Sequence, residues 1–180
     1  LESEICAAGA CFPDAQVSTV FLGGGTPSVV PAPLMKHLLR VLRESFTLRQ
    51  DAEFTSEANP GTLTEAWLDA LQAAGMNRLS LGVQAAQDPL LERIGRIHTF
   101  AEAEQSIRLA QRAGLTNINA DVMYGLPGQM EQDYLDTLRR VCGLGITHVS
   151  AYSLILEEGT PLHRMVEQGI LTVPDDDVCA

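Results

Sequence analysis

The chain has 180 residues, 46% of them hydrophobic, with 12 basic against 23 acidic side chains and a net charge of −11. That is enough apolar material for one domain with a core, and the acidic excess excludes general nucleic-acid binding, since phosphates are repelled except where a local basic or backbone-amide pocket receives them. No apolar run approaches the roughly twenty residues that span a bilayer, no basic-then-apolar signal opens the chain, and the cysteines lack a framework spacing, a usage that suits a reducing cytoplasm.

The opening "LESEICAAGA" reads as the end of a helix. The chain lacks an initial methionine and stops just after "PDDD", so the expectation is a fragment: residues 1–180 as one core domain, with both ends of a longer protein beyond it. A short apolar strand is expected over 17–22, followed by Gly23, Gly24 and Gly25. In the segment "PAPLMKHLLRVLRESF", Leu34, Leu38 and Leu42 share one helical face, flanked by Met35, Leu39 and Phe46. "EFTSEANP" predicts a strand over 53–57, closed by Pro60. Thr62 with Glu65 forms a capping box for a helix turning Trp67, Leu71 and Ala74 inward, and Thr99 with Glu102 repeats the device before "AEAEQSIRLAQRAG". Three similar joins follow, "GMNRLSL" at Gly75, "GLTNINA" at Gly114 and "GITHVSA" at Gly145, each a glycine helix stop leading into a strand. They place strands at 77–83, 117–123 and 147–154. The alternation points to a parallel sheet wrapped by helices, with an earlier strand implied before the first helix and six βα units in all.

The polar residues follow the strands. "GGGTP", "EANP", "GVQ", "DVMYGLPGQ" and "LEEGTP" stand after the successive strands, and in parallel α/β folds such positions meet at one edge. The glycines are read either as a tight strand-to-helix turn or as backbone laid against a ligand. They match neither the Walker loop nor the dinucleotide spacing. Glu57 either caps the next helix or binds at the strand end. Asp121, in an otherwise apolar strand ending, calls for a ligand or hydrogen-bond partners. Gln84 is a core amide or a site residue; Arg96 and His98 in "GRIH" form a solvated basic turn or part of the site. Tyr124 and Met123 read as wall, and Met35, Met130 and Met165 as packing. His37 reads as a surface residue, and Cys6, Cys11, Cys142 and Cys179 as ordinary buried or terminal thiols without metal spacing. No nucleophilic triad is visible, so a cofactor is expected to carry the chemistry.

The set "FLGGGTPS", "SEANPGTL", "NRLSLGVQ", "LLERIGRIHT", "NADVMYGLPGQ" and "HVSAYSLILEEGTPL" resembles the radical S-adenosylmethionine proteins related to oxygen-independent coproporphyrinogen III oxidase, and among them the haem chaperone branch. The resemblance runs through nearly the whole chain in order. It implies an α/β fold, a partial (β/α)6 barrel of parallel strands with outer helices, its first βα unit and C-terminal domain largely missing here. It further implies that Gly24, Gly25 and Thr26 contact the amino and carboxylate end of S-adenosylmethionine and that Glu57 sits near the same ligand. Gln84, Arg96 and Asp121 match positions lining a second S-adenosylmethionine site in the oxidase; Ile155 aligns too loosely to be included. The family's C-x3-C-x2-C loop, which ligates a [4Fe-4S] cluster, is absent from these residues, and neither Cys6 nor Cys11 replaces it, so no metal ligand is assigned within 1–180. The function implied is haem binding and delivery to acceptor haem proteins. Its alternative is oxidative decarboxylation of coproporphyrinogen III, and a third reading is a (β/α) domain serving another small molecule. Neither nucleic acid nor an integral membrane segment is expected.

Overall fold

The computed structural model describes residues 1–174. Five strands lie in one sheet in sequence order, every neighbouring pair parallel: β1 (Gln16–Leu22), β2 (Thr47–Ala58), β3 (Arg78–Gln84), β4 (Asn117–Tyr124) and β5 (His148–Ser153). Helices fill the connections: α1 (Glu2–Cys11), α2 (Ala32–Ser45), α3 (Glu65–Ala73), α4 (Asp88–Arg93), α5 (Phe100–Arg112), α6 (Glu131–Cys142) and α7 (Pro161–Glu167). This is the expected partial (β/α) barrel, an open half-barrel with its helices outside.

The two faces of the sheet differ because side chains alternate along a strand. Phe54, Ala58, Leu79, Leu81, Val83, Ile118, Ala120 and Val122 point outward and join one buried cluster with Trp67, Leu68 and Leu71 of α3 and Phe100, Ala103 and Ile107 of α5. The intervening positions Glu57, Ser80, Gly82, Asn119 and Asp121 fall on the inner face.

The helix stops occur where expected. Gly75, Gly114 and Gly145 have φ of +100°, +94° and +74°, a region glycine enters without a Cβ penalty. Side chains then tie each unit to the next: Gln72 Nε2 donates to the Ala113 carbonyl (2.8 Å) and Gln111 Nε2 to that of Leu144 (2.7 Å). The Thr99–Glu102 capping box is present, with both reciprocal bonds.

Several local expectations are corrected. The cap of α3 is Thr64, whose side chain accepts from Trp67 N; Thr62 instead bonds the Asn59 carbonyl and the Ser28 hydroxyl. On α2 the buried stripe is Met35 and Leu39, while Leu34, one residue and about 100° from Met35, is 62% exposed. β2 begins at Thr47, six residues before the expected 53, because β1 pairs with it in two pieces. Val17 faces Leu48 but Thr19 faces Glu53, and the excess residues carry an exposed bidentate Arg49–Asp51 pair at 2.9 Å. That polar run has no alternation to betray a strand. Met130 is 69% exposed and does not pack in the core. Cys6, Cys11 and Cys142 are all exposed, so of the expected ordinary buried or terminal thiols none of these three is buried, and Cys179 lies outside the described residues.

Candidate functional site

The carboxyl ends of β1 to β4 surround a polar pocket of about 320 Å³, lined by Gly25, Thr26, Glu57, Asn59, Ser80, Gly82, Gln84, Arg96 and Asp121 with Pro27 and Ala58. Six of the seven residues singled out from sequence line it, and Gly24 adjoins it by donating its backbone N–H to Glu57 Oε2 at 3.2 Å. Gly24 and Gly25 have φ of +80° and +61°, and a Cβ built on either meets nothing within 4 Å. Backbone conformation, rather than crowding by the protein, is what demands glycine there. The space over the loop is open to a ligand.

The inner face of the sheet supplies a hydrogen-bond ladder. Asn119 Nδ2 donates to Ser80 Oγ (2.7 Å) and to Asp121 Oδ1 (2.8 Å), Ser80 Oγ donates to Asp121 Oδ2 (3.2 Å), and Ser150 Oγ donates to Asn119 Oδ1 (3.0 Å). Asp121 is half-buried, and burial pushes its carboxyl above the ordinary range. The bonds from Asn119 and Ser80 oppose that rise, and the charge of Glu57 reinforces it. Burial lowers Arg96, and the Asp121 charge partly restores it. Arg96 is therefore half-buried in the site and not a freely solvated turn residue.

Gln84 reaches the pocket by an unusual backbone. The β3–β4 pairing runs Gly82 to Asp121 and then Gln84 to Val122, a bulge that skips Val83, and Gln84 takes φ +68°. A left-handed conformation costs a non-glycine residue about 1–2 kcal/mol, and bulges recur where a side chain is re-aimed at a site. Gln84 is 6% exposed, and its amide makes no hydrogen bond among the described residues. The reading of Gln84 as a satisfied core amide does not hold. His98, by contrast, is a core residue, 5% exposed, with Nε2 3.4 Å from the Val83 carbonyl.

Asn59 and Ser80 were not singled out from sequence. Ser80 could have been found as a polar residue in an otherwise apolar strand at the same inward parity as Asp121. Asn59 stood in the quoted "EANP", but nothing local shows that its amide faces a pocket. Ile155 is 78% exposed and borders a separate, mostly apolar hollow with Ile94, Leu162 and Met165.

The pocket's groups suit S-adenosylmethionine. Two carboxylates face one guanidinium, a balance that favours a ligand with net positive charge, while the loop N–H groups and the unengaged Gln84 amide suit its carboxylate and hydroxyls. An iron–sulfur cluster is not so served: among the described residues no group of three or more His, Cys, Asp or Glu side chains is placed to hold a metal.

Residues 8–141 match the Radical SAM superfamily, and the chain belongs to it. Within it, the chain is similar to the HemW and HemN proteins. It is 38% identical over 180 residues to the heme chaperone HemW of Mycobacterium tuberculosis, covering 100% of this chain and 46% of that protein. It is 41% identical over 162 residues to HemW of Escherichia coli, covering 90% of this chain and 42% of that protein. Among solved structures, the radical SAM enzyme coproporphyrinogen III oxidase (HemN) from Escherichia coli superposes with a TM-score of 0.85 at 29% identity, over 98% of this chain and 41% of its own. The chain thus spans about half the length of the curated relatives it matches.

Proposed function

We propose that residues 1–180 are the radical S-adenosylmethionine core domain of a cytoplasmic haem chaperone that binds haem and delivers it to acceptor haem proteins. The observation that carries this reading is the 38% identity to a HemW chaperone maintained over all 180 residues. The pocket supports the cofactor half of it. Glu57, which the Gly24 N–H already holds, accepts from an ammonium or ribose hydroxyls, the Gly25 N–H and the Thr26 hydroxyl receive a carboxylate, and Gln84, Arg96 and Asp121 orient the remaining polar groups. The chemistry S-adenosylmethionine supplies beside a reduced [4Fe-4S] cluster is hydrogen-atom abstraction, with cluster ligands outside these residues.

The alternative is the oxygen-independent coproporphyrinogen III oxidase, favoured by the superposition on HemN over 98% of this chain. The two separate cleanly in one anaerobic experiment on the full-length, cluster-reconstituted protein. Haem titration should give a saturable Soret band, and the bound haem should pass to an apo-haemoprotein. Incubation with coproporphyrinogen III and S-adenosylmethionine should give no protoporphyrinogen. Turnover without haem binding would establish the oxidase instead.

A further inference from the structure

The asparagine that sequence reading passed over sits at a junction of three strand ends. Asn59 follows β2, Thr26 follows β1, and Arg96 lies beyond β3 after α4. Asn59 Nδ2 donates to Thr26 Oγ1 at 3.1 Å, and Arg96 Nη1 donates to Asn59 Oδ1 at 3.3 Å. The amide orientation is dictated by chemistry: a guanidinium only donates, so the oxygen must face Arg96 and the nitrogen must face Thr26. Because Thr26 Oγ1 accepts from Asn59, the hydroxyl proton of Thr26 remains available to the pocket. The backbone of Asn59 is pinned as well. Its N–H donates to Ser28 Oγ (3.2 Å), and its carbonyl accepts from Thr62 Oγ1 (2.6 Å).

Gly82 of β3 lies directly beneath this junction. A Cβ there would stand 3.0 Å from Gln84 Nε2, 3.3 Å from Asn59 Oδ1 and 3.9 Å from Arg96 Nη1. Its φ lies outside the left-handed region, so room rather than backbone conformation is what the missing side chain provides. Three polar side chains from different segments meet over one vacant Cβ position.

We infer that Asn59 is a positioning residue, whose amide aims the Thr26 hydroxyl and the Arg96 guanidinium into the polar pocket for a carboxylate-bearing ligand. The inference rests on the reading of this pocket as the S-adenosylmethionine site. Without the amide, the Arg96 guanidinium keeps, among the described residues, the charge of Asp121 but no side-chain hydrogen bond, and the long side chain regains its rotamer freedom. Substitution by aspartate would keep an acceptor for Arg96 but remove the donor to Thr26 and turn that hydroxyl away from the pocket.

The test uses the full-length, cluster-reconstituted protein, with S-adenosylmethionine itself as the calorimetric probe. Asn59→Ala should weaken binding about tenfold or more, the scale of losing aid from a charge-assisted bond. Asn59→Asp should also weaken it. The double variant Asn59→Ala, Arg96→Ala should lose less than the product of the two single losses, because one residue acts through the other. Multiplying losses would overturn the inference. A second arm needs no ligand: crystal structures of parent and Asn59→Ala should show the guanidinium displaced from the pocket in the variant. An unmoved Arg96 and Thr26 would overturn the positioning role even if affinity fell. Failure of the parent to bind S-adenosylmethionine would overturn the cofactor reading, and the crystallographic arm would still decide whether Asn59 positions Arg96.

Discussion

Glu57 and Asp121 were recognisable in the sequence because a carboxylate at the end of an apolar strand needs a reason to be there. What burial does to such groups is visible only in three dimensions, and His98 shows the consequence most plainly. Burial is the largest influence on its imidazole and holds its pKa below the ordinary value; the Val83 carbonyl opposes the shift and the Arg96 charge adds to it, with Glu102 and Asp88 opposing from further away. A carbonyl only accepts, so Nε2 carries the proton of a neutral ring. A depressed native pKa means that the unfolded chain binds the proton more readily. The contribution of His98 to stability is therefore complete above the unfolded imidazole value of about 6.5 and is lost as pH falls below it toward the native pKa. Urea midpoints for His98→Gln should lie below the parent at pH 8 but decline less between about pH 7 and 5. Parallel declines in the two proteins would show that another group governs that window.

At the scale of elements, caps and stops were the most legible features, because they depend on residues a few positions apart. Thr99 with Glu102 opens α5 as expected, with the Thr99 N–H donating to Glu102 Oε2 at 2.7 Å and Glu102 N–H to Thr99 Oγ1 at 3.3 Å. Thr99→Ala should cost about 1 kcal/mol in equilibrium urea unfolding at neutral pH, with the pocket unaltered; no measurable loss would mean that tertiary packing alone holds the start of α5. The misplaced cap of α3 is instructive. Thr62 and Thr64 both precede the helix, and sequence spacing favoured Thr62 because Glu65 completes a box. The folded chain uses Thr62 to bind the Asn59 carbonyl instead, leaving Thr64 to accept from Trp67 N. The glutamine ties from Gln72 and Gln111 had no local signature, since each partner carbonyl lies over thirty residues away.

For the molecule as a whole, the open half-barrel leaves two strands with one neighbour each. Among the described residues β1 pairs only with β2, and β5 only with β4. The sequence of β1, QVSTVFL, has no charged residue, and Phe21 is 60% and Tyr152 53% exposed. Unpaired, uncharged edges are templates for further strand pairing. The 180-residue chain expressed alone should therefore self-associate as its concentration rises, and Ser18→Lys on β1 should reduce that association. Sedimentation velocity over a wide concentration range reads this directly; a single monomeric species throughout would show that the edges are protected.

Periodicity, glycine stops and capping pairs were enough to determine the order of strands and helices and the clustering of polar residues at strand ends, because those signals are carried within a turn or a strand. Parallel topology, which brings strand ends together, was enough to draw attention to the glycine turn, Glu57 and Asp121, while Thr26, Gln84 and Arg96 were marked as site residues by the resemblance to the radical S-adenosylmethionine family. The early start of β2, the bulge that turns Gln84 into the pocket, the vacant position above Gly82 and the Asn59 junction required the folded chain. Each depends on register between strands or on a partner distant in sequence, and neither composition nor spacing encodes which residue will stand opposite which.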